Sequence, residues 1–264
     1  MLESLQEKLS LPDPIYSFDE VAWLLEHIGH PKPEIRDELV FETLACGLTE
    51  GFFSLQQFRF LVEESLSKNL LFYQMEQQGV ASLTRSFTAL LLANIVEVDD
   101  TATSPYYRLL SKEERQILFE YAFTYLQKER DSDGYSLDFG WVHAFAHGAD
   151  FLVAVVTHSD FPKAAWPTIF QTLSSIFKRV SIRFSADEEW RLARVIYQAV
   201  TEGKLSQNQL VAWLEGIDFP LETVEDFIHF SNFRSFLMEI YLKLDQEKLL
   251  SKDLKAVIQS FSYS

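Results

Sequence analysis

Apolar residues recur at three- and four-residue intervals along nearly the whole chain, in VAWLLEHI, ELVFETLACGL, FRFLVEESL, FTALLLANIV, ILFEYAFTYL and FLMEIYLKL. That is the period of helices that bury one face. Alternating runs of the kind that make half-buried strands are scarce. Start signals agree: Ser is followed three residues later by Glu or Gln at Ser17/Glu20, Ser54/Gln57, Ser111/Glu114, Ser185/Glu188 and Ser206/Gln209. This is the capping-box spacing, in which two side chains satisfy backbone N–H groups left free in a first helical turn.

Breaks at DPIYS, HPKPE, TEGFFS, QQGVA, DDTATSPYY, RDSDGYSLDFG, HSDFPKAAWP, RFSADE, TEGKLS, GIDFP and HFSN divide the chain into eleven or twelve predicted helices, about 20 residues apart. Taken in pairs they give a period of about 40 residues, that of HEAT-like helical pairs, which bury their apolar faces on one another and wind into an α/α superhelix. No textual self-similarity accompanies the period, so an irregular all-α array is the competing architecture. The longest irregular stretch, residues 97–110, carries Tyr106 and Tyr107, side chains that favour burial. The prediction is one all-helical domain over residues 1–264, with residues 1–80 as N-terminal capping helices.

Composition narrows this picture. A chain of 264 residues with 47% hydrophobic side chains has material for a large core without metal or disulfide. The single cysteine, Cys46, excludes an intrachain disulfide and a cysteine-based zinc cluster, and its setting in TLACGL predicts a buried thiol rather than a nucleophile. A reducing compartment fits. MLESLQEKLS lacks the basic and apolar regions of a signal peptide, and no run approaches the roughly 18 uninterrupted apolar residues of a membrane helix. A cytoplasmic protein is expected. The formal net charge of −16 argues against nucleic acid and anionic membranes as partners. Residues 161–200 reverse the sign, with 3 acids against 6 bases: Lys163, Lys178, Arg179, Arg183, Arg191 and Arg194.

Candidate chemistry concentrates in GWVHAFAHGAD, residues 140–150. On a helix running from about Phe139 to His158, at about 100° per residue, His143, His147 and Asp150 fall in one sector about 60° wide. Val142, Phe145, Ala149, Leu152, Val153 and Val156 share an apolar face, and Ala144 with Gly148 leaves room for a close neighbour. Two imidazoles and a carboxylate so placed would hold a divalent metal, or Asp150 would orient His147 as a general base. HxxxH lacks the intervening Glu of the zinc-protease helix, and no Ser or Cys sits in a recognisable nucleophile setting. The plainer alternative is that these groups hydrogen-bond adjacent helices.

Two other features have plain readings beside functional ones. The loop ERDSDGYSLDFG, with Asp131, Asp133 and Asp138, does not follow the EF-hand order and reads first as a turn with capping aspartates. In the basic island, Lys178 and Arg179 suit a helix C-terminus and Asp187 to Arg191 an i, i+4 pair. The functional alternative is a surface for a phosphate or an acidic peptide.

The segments RSFTALLLANIVEVD (85–99), ERDSDGYSLDFGWVHAFAHGADFL (129–152), DEEWRLARVIYQ (187–198) and NFRSFLMEIYLKL (232–244) resemble the DUF2785 family of uncharacterised bacterial proteins, with GWxHxxAHxxD the most specific element. The resemblance implies an all-helical fold and no established activity. Family members often carry Arg before the loop glycine, where this chain has Asp133. The resemblance also groups Arg130, Asp131, Trp141, His143, His147, Asp150, Glu188 and Arg191, the candidate ligand-binding set, in shared motif segments, which also hold Arg85. The first reading is therefore a non-catalytic binding or scaffold module for a protein, peptide or small ligand on a concave surface. The rival is a metal-dependent or acid/base hydrolase using His143, His147 and Asp150, with Arg191 neutralising substrate charge.

Overall fold

The structure, a computed structural model, describes residues 1–262 and is all-α. In chain order the helices are α1 (Leu2–Leu9), α2 (Phe18–Glu26), α3 (Pro33–Ile35), α4 (Glu42–Thr49), α5 (Leu55–Ser67), α6 (Val80–Asp100), α7 (Lys112–Lys128), α8 (Ala144–Thr157), α9 (Trp166–Phe177), α10 (Glu188–Thr201), α11 (Gln207–Glu215), α12 (Val224–Gln246) and α13 (Lys252–Ser260). A π-helical stretch, Arg36–Phe41, joins α3 to α4 without a break. With that run counted as one, the described residues hold twelve helices of at least eight residues. Two short strands interrupt them: β1 (Tyr135–Ser136) pairs antiparallel with β2 (Gly140–Trp141).

Local chemistry explains most of the boundaries. Four of the five capping boxes form, at Ser17, Ser54, Ser111 and Ser206. Thr223 and Asp226 build a further one at the start of α12. The fifth, Ser185/Glu188, does not, because Asp187 adopts the left-handed conformation (φ 63°) and itself stands at the N-cap of α10. Glu188 is thereby the first helical residue, although its Oε2 still accepts from the N–H groups of Ser185 and Ala186 at 3.2 and 2.9 Å.

Successive helices pack in a row: α4 on α6, α6 on α8, α8 on α10 and α10 on α12, with α7 lying against α8 and α9. One hydrophobic core runs from Leu5 to Ile258. By length and composition α6 could cross a membrane, but 72% of its apolar window is buried inside the protein. It is the helix that most of the candidate site leans on. Arg85, fully buried on it, forms a two-pronged ion pair with Glu129 at 2.8 and 2.9 Å. The small face foreseen on the histidine helix meets α7. A Cβ on Gly148 would stand 2.7 Å from Tyr125 Cε1 and Leu126 Cδ2, and the Tyr125 hydroxyl donates to the Ala144 carbonyl.

The expected helix from Phe139 begins only at Ala144. Gly140 (φ 72°) lies so close to Pro33 that a Cβ would stand 2.7 Å from its Cγ. The buried Arg36 guanidinium takes the carbonyls of Phe139 and Trp141 at 2.8 and 3.1 Å. These partners from far up the chain hold residues 139–142 extended and deny their carbonyls to a helical ladder. His143 turns the corner in the left-handed conformation (φ 48°) as the N-cap, a backbone state unusual for a non-glycine residue. The single-sector placement of His143 with His147 and Asp150 on one helix is therefore corrected.

The basic island divides. Arg179 sends its guanidinium across to the carbonyls of Leu126, Gln127 and Glu129, at the C-terminus of α7, and burial brings its pKa down to about 10. The Asp187–Arg191 pair does not form: Arg191 reaches Asp150 instead. In the aspartate loop, Asp131 is buried and caps backbone and side chain, accepting from Gly79 N–H and from the Ser82 hydroxyl. Cys46 is half-buried, and burial pushes its thiol pKa up.

Candidate functional site

The residues around the start of α8 enclose a pocket of about 450 Å³, walled by Phe41, Phe87, Trp141 and Trp190, with Asp37 and Arg191 at its edges. Its floor carries two imidazoles. The His143 ring lies parallel to Trp141, with centroids 4.5 Å apart, and 5.4 Å from the His147 ring. Behind it, His143 Nδ1 faces Glu188 Oε1 across 3.8 Å. Both atoms are buried and neither closes a hydrogen bond. Burial works to raise the Glu188 pKa, but the neighbouring His143 and the Ala186 N–H hold it below the usual glutamate value. An anionic carboxylate beside Nδ1 places the ring proton there. Gly134 permits this approach, since a Cβ would stand 2.5 Å from Glu188 Oε1.

The state of His147 follows from a hydrogen-bond argument. Its Nδ1 lies 2.8 Å from the hydroxyl oxygen of Ser86 on α6, and that same hydroxyl is 2.5 Å from the Val142 carbonyl. A carbonyl only accepts, so the single hydroxyl proton of Ser86 goes to Val142. The hydroxyl oxygen must then accept from His147, which places the ring proton on Nδ1 and a lone pair on Nε2. Burial first, and then the neighbouring His143 ring and the guanidinium groups of Arg191 and Arg36, hold the His147 pKa well below its ordinary value, so the ring is neutral at pH 7. Nε2 has no hydrogen-bond partner among the described residues, and the ring lines the pocket, although the residue as a whole is only 6% exposed. His143 lines the same pocket.

Asp150 stands apart from both histidines. Arg191 and Arg194 hold its carboxylate, the latter at 2.9 Å, and both guanidinium groups lie over the Trp190 ring. Burial pushes the Asp150 pKa up against the pull of the two arginines. Asp150 thus neither orients His147 nor joins the imidazoles round a common ion. Among the described residues no group of three or more His, Cys, Asp and Glu is arranged to hold a metal. Beyond Asp150 a second hollow of about 440 Å³, bordered by Glu97, Asp100 and Glu202, continues along α6, α8 and α10. Of the other residues singled out in the sequence, Trp141 lines the pocket, and Glu188 lies behind it against His143. Arg130 is exposed on the loop, and Arg85 and Asp131 support the loop from beneath.

Four functional residues carried no signal in their own segments: Arg36 and Asp37, which hold the Trp141 loop and edge the pocket, Ser86, and Trp190. Only their partners make them visible.

These features define an all-α protein with an aromatic, two-histidine pocket at a helix start. The chain belongs to the family described as "Protein of unknown function (DUF2785)", whose model matches residues 71–242. The match takes in α6 through most of α12, including Ser86, both histidines, Glu188 and Arg191, while Arg36, Asp37 and Phe41 lie before it. Neither a curated protein nor a solved structure matches the chain.

Proposed function

We propose that this protein binds a small ligand, without transforming it, in the pocket at the start of α8. One observation carries the reading: His147 is more than nine-tenths buried, its ring lines an aromatic-walled cavity, and its Nε2, an acceptor fixed by the bond at Nδ1, has no hydrogen-bond partner among the described residues. Buried polar atoms are nearly always satisfied, and a concave apolar site with a few convergent polar groups is the usual form of a ligand pocket. Ser86 does not supply a nucleophile, because its proton is committed to a carbonyl and the adjacent imidazole nitrogen is itself protonated. The row of helices that carries the pocket suits a HEAT-like stack with a concave binding face, and a reducing cytoplasm suits the composition; both belong to this proposal.

The hydrolase alternative survives in altered form. The approach of Glu188 to His143 favours His143, not His147, as a general base, with Glu188 rather than Asp150 as its orienting carboxylate. Screening small-molecule mixtures by ligand-observed NMR separates the readings. The binding reading expects ligands that contact Trp141 and Trp190 and are recovered unchanged. Time-dependent conversion that His143→Gln abolishes would support the alternative and overturn it.

A further inference from the structure

The chemistry of the pocket also discriminates between classes of ligand, a point that rests on the binding reading above. We propose that its ligand is a planar ring compound presenting N–H donors along one edge, of the carboxamide, amidine or amino-heterocycle type. The His147 lone pair is the reason. With Nδ1–H tied to Ser86, the other nitrogen can only accept, so a donor completes it and a carboxylate or phosphate oxygen would face it lone pair to lone pair.

The second imidazole extends this argument. Glu188 Oε1, 3.8 Å from Nδ1, favours the ring proton of His143 at that nitrogen, so its Nε2 in the neutral form is a second acceptor. Two acceptors on neighbouring rings match a donor edge better than a single hydroxyl. The aromatic walls supply flat faces on which a ring stacks. Trp141 remains 46% exposed, which leaves its surface available.

The positive charges nearby do not reverse the preference. Arg191 is committed to Asp150, and Arg36 to Asp37 and three backbone carbonyls. Asp37, at the pocket edge, keeps a quarter of its side chain exposed and offers a further acceptor. Arg191, the basic-island residue that lines this cavity, thus has its Nη1 already paired with a carboxylate. The phosphate or acidic-peptide reading of that island finds no support at Arg191 or Arg194.

Three ring-matched probes test the inference: benzamide, benzamidine and benzoate, each titrated at millimolar concentration into the full-length protein. Saturation-transfer NMR reads binding, and long-range 1H–15N spectra of the imidazoles read its location. Benzamide and benzamidine are expected to bind at least about tenfold more tightly than benzoate, the factor that corresponds to one unsatisfied acceptor. They should also shift the His147 Nε2 resonance. His147→Phe keeps an aromatic ring while removing one acceptor, and should narrow the ranking without erasing ring stacking. The wild-type ranking stands as a test even if that variant misfolds. Benzoate binding as tightly as benzamide at this pocket would overturn donor selection and leave the binding reading intact. If no probe perturbs the His147 or tryptophan signals, both fall.

Discussion

A single serine shows how much of the site is decided by one proton. Ser86 hands its hydroxyl hydrogen to Val142 and thereby sets the tautomer of His147. Ser86→Ala should leave both the Nδ1–H group and the carbonyl buried without partners, lowering stability by about 1–3 kcal/mol in urea denaturation. A loss indistinguishable from zero would mean that the tautomer is set otherwise. Glu189 makes a pH-dependent prediction. It is buried beside Glu188 and Asp187, with Arg183 as its nearest cation at 3.3 Å, and burial lifts its pKa to about 7. A glutamate whose folded pKa is raised is favoured in its protonated form. Its cost is absent below the unfolded value of about 4.3, builds up as pH rises from there to about 7, and is constant above that. Glu189→Gln should therefore stabilise the protein by roughly 2 kcal/mol at pH 8 and make no difference near pH 4. Equal effects at the two pH values would rule this out. Neither residue was legible as special in the sequence, because a serine among leucines and a glutamate in DEEW look like ordinary helix residues until their neighbours are known.

At the scale of elements, periodicity carried the fold well, but the break expected at HFSN lies inside the unbroken α12, where Phe230 and Phe233 are buried, and α8 begins later than its pattern predicts. The apolar spacing that predicts α8 runs on through Val142, which is buried, but residues 139–142 arrive there as extended chain. The winning interaction is Arg36, more than 100 residues earlier in sequence, which claims the carbonyls a longer helix would need. Arg36→Met should release that segment, so that hydrogen exchange at residues 139–143 accelerates while α12 is unaffected. Unchanged exchange there would show that Gly140 and the strand pair suffice. The contact between α7 and α8 gives a packing test. Gly148→Leu would drive a side chain into Tyr125 and Leu126, a repacking that typically costs 1–3 kcal/mol, and a thermal melt should show the loss. Here the sequence did suggest the device, since Ala144 and Gly148 share a helical face, but it could not say which helix would occupy it.

For the whole molecule, charge is the dominant sequence-level fact. A formal net charge of −16 implies self-repulsion in the compact state. Raising the salt concentration from about 0.01 M to about 0.15 M shortens the screening length from about 30 to 8 Å and should raise the melting temperature. A fall would indicate that attractive pairs such as Arg59–Glu114 outweigh the net term. The local reversal of sign in residues 161–200 misdirects in the same way that a long helix does. Arg179 is spent on the end of α7, and Arg191 and Arg194 both reach Asp150, so three of the six bases of this stretch are paired within the fold.

The sequence by itself determined the all-α class, four of the five proposed capping boxes and the presence of an unusual segment at residues 140–150. Each depends on interactions within about one helical turn, between residues whose spacing is fixed by the backbone. Tertiary structure alone decided where the histidine helix begins, which carboxylate faces which imidazole and which nitrogen keeps its lone pair. Those outcomes depend on Arg36, Ser86 and Glu188, brought in from separate helices. A hydrogen bond between distant elements leaves no periodic trace in the chain that forms it.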